Sequence, residues 1–99
     1  MPVAFEEVVE KITDATRQVE ADSGASPVVV AVVRELEAKL VKAQKHATDG
    51  VPGRDSVLEV EQAGDSAKVA AEADAGLSPG ARQSVLAAHL AVCKLKAGA

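Results

Sequence analysis

One string occurs twice in this chain, and it limits the folds open to it. Residues 20–27 read Glu-Ala-Asp-Ser-Gly-Ala-Ser-Pro and residues 72–79 read Glu-Ala-Asp-Ala-Gly-Leu-Ser-Pro, identical at six of eight positions at an offset of 52. The same offset pairs Glu7 with Glu59, Val8 with Val60, Ala15 with Ala67, Val33 with Val85 and Lys42 with Lys94, with no gap. Part of the likeness is turn chemistry. Ser before Pro is an N-cap followed by a first-turn residue whose missing N–H costs nothing there. A Gly just beyond a helix end is expected to supply the left-handed C′ conformation. No turn requires the preceding Glu-Ala-Asp, nor the distant matches, so the pattern reads as a duplicated unit.

Each copy then reads helix, tight turn, helix. The first has helices over 3–21 and 27–47 around a turn at 22–25; the second has helices over 56–75 and 79–97 around a turn at 76–77. Between them, residues 48–54 contain Gly50, Pro52 and Gly53, which break a helix, and Asp55 is placed to cap the third helix. The fold class expected is all-α: a duplicated helical hairpin, forming a four-helix bundle or an open two-hairpin array. The hairpins are residues 3–47 and 55–97 of a single domain spanning 1–99.

Apolar spacing supports the assignment. Phe5, Val8, Ile12, Ala15 and Val19 alternate by three and four, as do Val29, Val33, Leu36, Leu40, Ala43 and Ala47, a narrow coiled-coil-like seam. Shifting by 52 gives Val57, Val60, Gly64, Ala67 and Ala71, then Ala81, Val85, Ala88, Val92 and Leu95. The register survives but the side chains shrink, so the second copy buries less by itself. Net charge is −4 in residues 1–25, +1 in 26–50, −4 in 51–75 and +3 in 76–99, so each hairpin sets an acidic helix beside a more basic one.

One segment is apolar on every side: Pro27-Val28-Val29-Val30-Ala31-Val32-Val33. β-Branched runs of this kind can be strands, but the seam continues unbroken through Leu36 and Leu40, so a helix is expected. Val28, Val30 and Val32 lie off that seam. They are the candidate interaction surface, facing either the other hairpin or a second chain.

Composition narrows the function classes. The apolar 47% is mostly Ala and Val, with one Phe, no Tyr and no Trp, so the core is thin and self-association is expected to assist it. The net charge of −4, without a basic cluster or stacking aromatics, disfavours nucleic acid as a partner. The single cysteine, Cys93, excludes an internal disulfide, and no run reaches the roughly eighteen apolar residues of a membrane span. A cytoplasmic protein is expected, with no membrane partner. The Ala/Val bias, with no Asn and one Ile, points to a GC-rich genome.

Chemistry-bearing patterns are sparse. His89 and Cys93, four apart on the last helix, could face one metal ion, but two ligands do not make a site, and the pair reads as an ordinary His beside a half-buried Cys. His46, next to Lys45, sits where a cation suits a helix C-terminus. Gly50–Gly53 lacks the Gly-Lys-Ser/Thr of a phosphate cradle. No catalytic residue, cofactor or metal is therefore expected, and the chain is not read as an enzyme.

Asp55-Ser56-Val57-Leu58-Glu59 resembles the Asp-Ser-Leu signature of acyl carrier proteins, which are small, acidic and four-helical. That resemblance implies a phosphopantetheine arm on Ser56. It covers five residues, with Val57 in place of the usual Leu, and the family's long loop before the Ser helix has no counterpart. Secreted hairpins of the Trp-x-Gly type share the length but not the absence of Trp. The function expected is a non-enzymatic helical protein–protein interaction or assembly module, self-associating as a homo-oligomer. The alternatives are a small regulatory or virion-associated protein of an actinobacterial phage and an acyl-carrier-like protein using Ser56.

Overall fold

A computed structural model describes residues 3–98. Four helices follow in order: α1 (Val3–Ala21), α2 (Pro27–Lys45), α3 (Arg54–Ala73) and α4 (Pro79–Gly98). The valine-rich start of α2 is helical, because Ser26 and Pro27 open a helix whose buried positions Val29, Val33, Leu36, Leu40 and Ala43 keep one continuous seam. Both intra-hairpin turns run from an alanine to a proline at the same offset of 52: Ala21 to Pro27 and Ala73 to Pro79.

Four boundaries differ from the sequence reading, the smallest being the end of α4 at Gly98, one residue late. The second helix ends at Lys45, where the His46 N–H donates to the Lys42 carbonyl and the Ala47 N–H to the Gln44 carbonyl. The third starts at Arg54 with Gly53 as its cap, so Asp55 lies inside the first turn and makes no side-chain cap bond. The third helix also ends at Ala73, two residues early, because Asp74 is extended and serves the turn. In the loop, Thr48 and Val51 exchange both backbone hydrogen bonds around Asp49 (φ 54°) and Gly50 (φ 76°), a tight reversal in the left-handed region.

The hairpins close on each other. α1 packs on α2 and α4, and α3 on α2 and α4, which makes a four-helix bundle of 39 × 20 × 18 Å rather than an open array. Its core contains Val8, Ile12, Val19, Val33, Leu36, Leu40, Val60, Val85 and Val92, each almost fully buried. The small residues of the second copy are matched by large ones from the first. Leu36 Cδ1 lies 4.0 Å from where a Cβ on Gly64 would sit, so α2 fills the space that Gly64 leaves in α3. Leu77 plugs the end of the bundle, buried at the position where the first copy has Ala25.

The repeated string is what joins the hairpins. Asp22 accepts from the Ser78 N–H (2.7 Å) and Asp74 accepts from the Ser26 N–H (2.8 Å), a reciprocal pair of bonds between the two turns. With its second oxygen each aspartate also holds its own turn, from Gly24 N–H at 2.9 Å and Gly76 N–H at 3.0 Å. Ser26 and Ser78 then cap their helices, accepting from Val29 N–H and Ala81 N–H, both at 3.2 Å. Backbone donors hold both carboxylates below the usual aspartate range. The Ser78 N–H is the largest cause for Asp22 and the Ser26 N–H for Asp74.

The two glycines of the string do not have the left-handed backbone expected of them. Gly50 is the one glycine with positive φ among the described residues. Gly24 and Gly76 are small because the turns touch. A Cβ on Gly76 would lie 2.6 Å from the Gly24 carbonyl oxygen, and a Cβ on Gly24 would collide with the Gly76 carbonyl oxygen.

Candidate interaction surface and thiol cluster

Val28, Val30 and Val32 divide between surface and core. Val28 is 64% exposed, whereas Val30 and Val32 are half-buried and pack against the core. The sequence reading missed Val69 on α3, which is 65% exposed. Val28 and Val32 of α2 line a shallow, open groove with Val69, Ala70 and Ala73 of α3, and Asp65 and Ser66 lie at one end. Its apolar lining was only half visible in the sequence, because the α3 residues fall outside that helix's seam.

Each of these positions has a counterpart in the other copy. Val28, Val32, Val69, Ala70 and Ala73 correspond to Gly80, Ser84, Arg17, Gln18 and Ala21, on the face between α4 and α1. There the Gln18 amide oxygen lies 3.7 Å from the place of a Gly80 Cβ, so a polar side chain covers the equivalent strip. Val30 corresponds to Arg82, whose guanidinium donates to the carbonyls of Ala71, Asp74 and Leu77 at the end of α3. The same scaffold position therefore holds a helix-capping cation in one hairpin and a core-facing valine in the other.

Ion pairs follow the charge pattern of the sequence. Glu20 pairs with Arg34 at 2.7 Å within the first hairpin and Glu61 with Lys96 at 2.9 Å within the second. Lys42 and Lys39 both reach Glu59 between the hairpins, at 3.2 and 3.8 Å. Exposed pairs of this kind contribute little each and act on which helices lie side by side.

His89 and Cys93 acquire a third neighbour that the sequence did not disclose. Asp65, on α3, accepts from His89 Nε2 at 2.8 Å, and Cys93 Sγ lies 3.9 Å from Nδ1 and 3.7 Å from Nε2. The ring is mostly buried and its Cδ2 lies 3.9 Å from the place of a Gly64 Cβ, so the glycine makes room for it. Cys93 is half-buried. Among the described residues no group of three or more His, Cys, Asp and Glu is placed to hold a metal ion.

Ser56 lies in the first turn of α3 and is half-buried. His46 is the exposed C-cap of α2. Among the described residues no helix is long and apolar enough to cross a membrane. Comparison with protein-family models, with curated proteins and with solved structures finds no match.

Proposed function

We propose that the chain is a non-enzymatic helical interaction module that associates with a second copy of itself through the α2–α3 face. The supporting observation is the difference between two equivalent faces. One carries Val28, Val32 and Val69, and the other Gly80, Ser84 and Arg17, on the same backbone arrangement. Packing within the monomer therefore does not require valine at the exposed positions 28 and 69, whereas Val32 also packs against the core. An apolar strip left in water is costly, and covering it is the usual reason for its presence.

The occupant is a second copy because of the strip's shape and edge. It is shallow and lined by Val and Ala, without the deep pocket that receives an aromatic or Arg anchor from a dissimilar partner. A like surface of small side chains fits it, as two-fold pairing provides. Its α3 edge carries both signs, Asp65 and Glu72 beside Lys68, so a two-fold related copy can oppose acid to base. The strip is smaller than a standard interface, so the dimer is weak and concentration-dependent.

Sedimentation velocity over a concentration series tests the proposal. Wild type should gain average mass with concentration, while Val69→Lys stays monomeric with an unchanged melting temperature. Wild type that remains monomeric throughout, or a Val69→Lys variant that associates equally well, would refute it.

A further inference from the structure

We propose that the inner face of each hairpin is also a docking surface for the opposite hairpin of a second copy, so that two chains exchange hairpins about the loop between α2 and α3. This association is independent of the α2–α3 strip, which stays on the outside of either arrangement. It rests on which hairpins fit each other. Leu36 of α2 fills the space that Gly64 leaves in α3, and the equivalent positions on α4 and α1 are Ala88 and Ile12. All four are buried. At both places a large residue of one helix is matched to a small one of the other. Two first hairpins would set Leu36 against Ile12, an overpacked pair, and two second hairpins would set Ala88 against Gly64, leaving a void. Each hairpin therefore fits the other kind and not its own.

Each hairpin is also half a bundle. α1 packs more extensively on α4 than on α2, so the first hairpin's core is closed largely by the second. The bonds from Ser78 N–H to Asp22 and from Ser26 N–H to Asp74 run between hairpins as well. None of these contacts requires both hairpins to belong to one chain. The opposite hairpin of a second copy, in the same place, makes all of them.

Only the loop changes. Thr48 and Val51 exchange two backbone bonds of 3.0 Å, and residues 48–51 are exposed, so water replaces those bonds at little cost when the loop opens. The closed reversal holds Asp49 at φ 54°, a strained backbone for a residue other than glycine, and opening releases it. The eight residues between Lys45 and Arg54 span about 26 Å when extended. That exceeds the 20 Å width of the bundle, so two exchanged bundles can lie side by side.

The test uses full-length chains carrying Val69→Lys, which removes the strip. Exchange requires the hairpins to part, so the folded monomer shows it only after unfolding in urea and refolding at high concentration. A hairpin-exchanged dimer must unfold to come apart and survives dilution on gel filtration, whereas a strip-held dimer separates at once. Gly50→Val sets a β-branched residue at positive φ in the closed loop. It should raise the association constant of the dilution-resistant dimer about 30-fold, because two loops are relieved per dimer. Asp49→Gly suits the closed reversal and should lower it about threefold. No dilution-resistant dimer in any of the three chains, or equal or reversed amounts among them, would overturn the proposal. If Gly50→Val does not fold, the parent and Asp49→Gly decide by the same criterion.

Discussion

Replacing Gly24 or Gly76 by alanine tests the joint between the hairpins. The Cβ of Gly76→Ala would sit 2.6 Å from the Gly24 carbonyl oxygen, about 0.8 Å inside ordinary contact. Gly24→Ala is the tighter of the two. Neither residue has positive φ, so the backbone itself tolerates alanine and the contact between turns decides the outcome. If the turns part to relieve the clash, the bonds to Ser78 and Ser26, now 2.7 and 2.8 Å, stretch to about 3.5 Å and are effectively lost. Overpacking of this kind costs about 1–3 kcal/mol. For a chain of this size that lowers the melting temperature by about 5–20 °C. The double variant should cost less than the sum, since one separation relieves both clashes. Gly80→Ala is the opposite-sign control. Its Cβ, in the first turn of α4, would meet only Gln18 of α1 at 3.7 Å, an ordinary contact, and it should stabilise by about 0.4–1 kcal/mol. Thermal melts by circular dichroism measure all four variants. Gly24→Ala and Gly76→Ala melting with wild type would show that the turns do not meet, and the reasoning about the joint would fail.

Two further perturbations address the same joint. Ser26→Ala and Ser78→Ala each remove a cap and should cost about 1 kcal/mol in urea denaturation; a loss confined to one of them would break the equivalence of the hairpins. Asp22 and Asp74 titrate below their unfolded value of about 3.9, so their stabilisation is complete above that pH and is lost as pH falls through their folded values. Melting temperature followed from pH 7 down to about 2 should therefore fall on the acid side, and the Asp22→Asn/Asp74→Asn double variant should show a flatter acid limb.

The parts of the fold legible in the sequence are those set by short-range chemistry. Ser-Pro marks the start of α2 and α4, and three-and-four spacing finds the core, because both operate within a few residues along the chain. The parts that escaped depend on distant partners. No local rule asks for Glu-Ala-Asp, yet each aspartate both holds its own turn and accepts from a backbone donor 48 or 56 residues away. Local chemistry alone makes such glycines left-handed caps, whereas here the reason for them is a second turn against each. Val69 and Asp65 leave no local signal for the same cause: one is exposed and off its seam, the other pairs with a histidine on the next helix.

Internal comparison of the two copies separates structure from specialisation. Where the copies agree, at Asp22/Asp74, Gly24/Gly76 and Ser26/Ser78, the residues hold turn to turn, and both members of each pair are needed for the reciprocal bonds. Where they differ in the core, the differences compensate in volume, as Leu36 does at Gly64. One set of differences, at exposed positions, has no such compensation: Val28 and Val69 on the α2–α3 face stand where Gly80 and Arg17 stand on the α1–α4 face. The His89 ring, by contrast, lies in space that Gly64 leaves, where the first copy has Ile12. A symmetric joint that needs only the shared string leaves these faces free to change without loss of the fold. Association through the proposed α2–α3 strip should therefore be separable by substitution from the stability that depends on the turns.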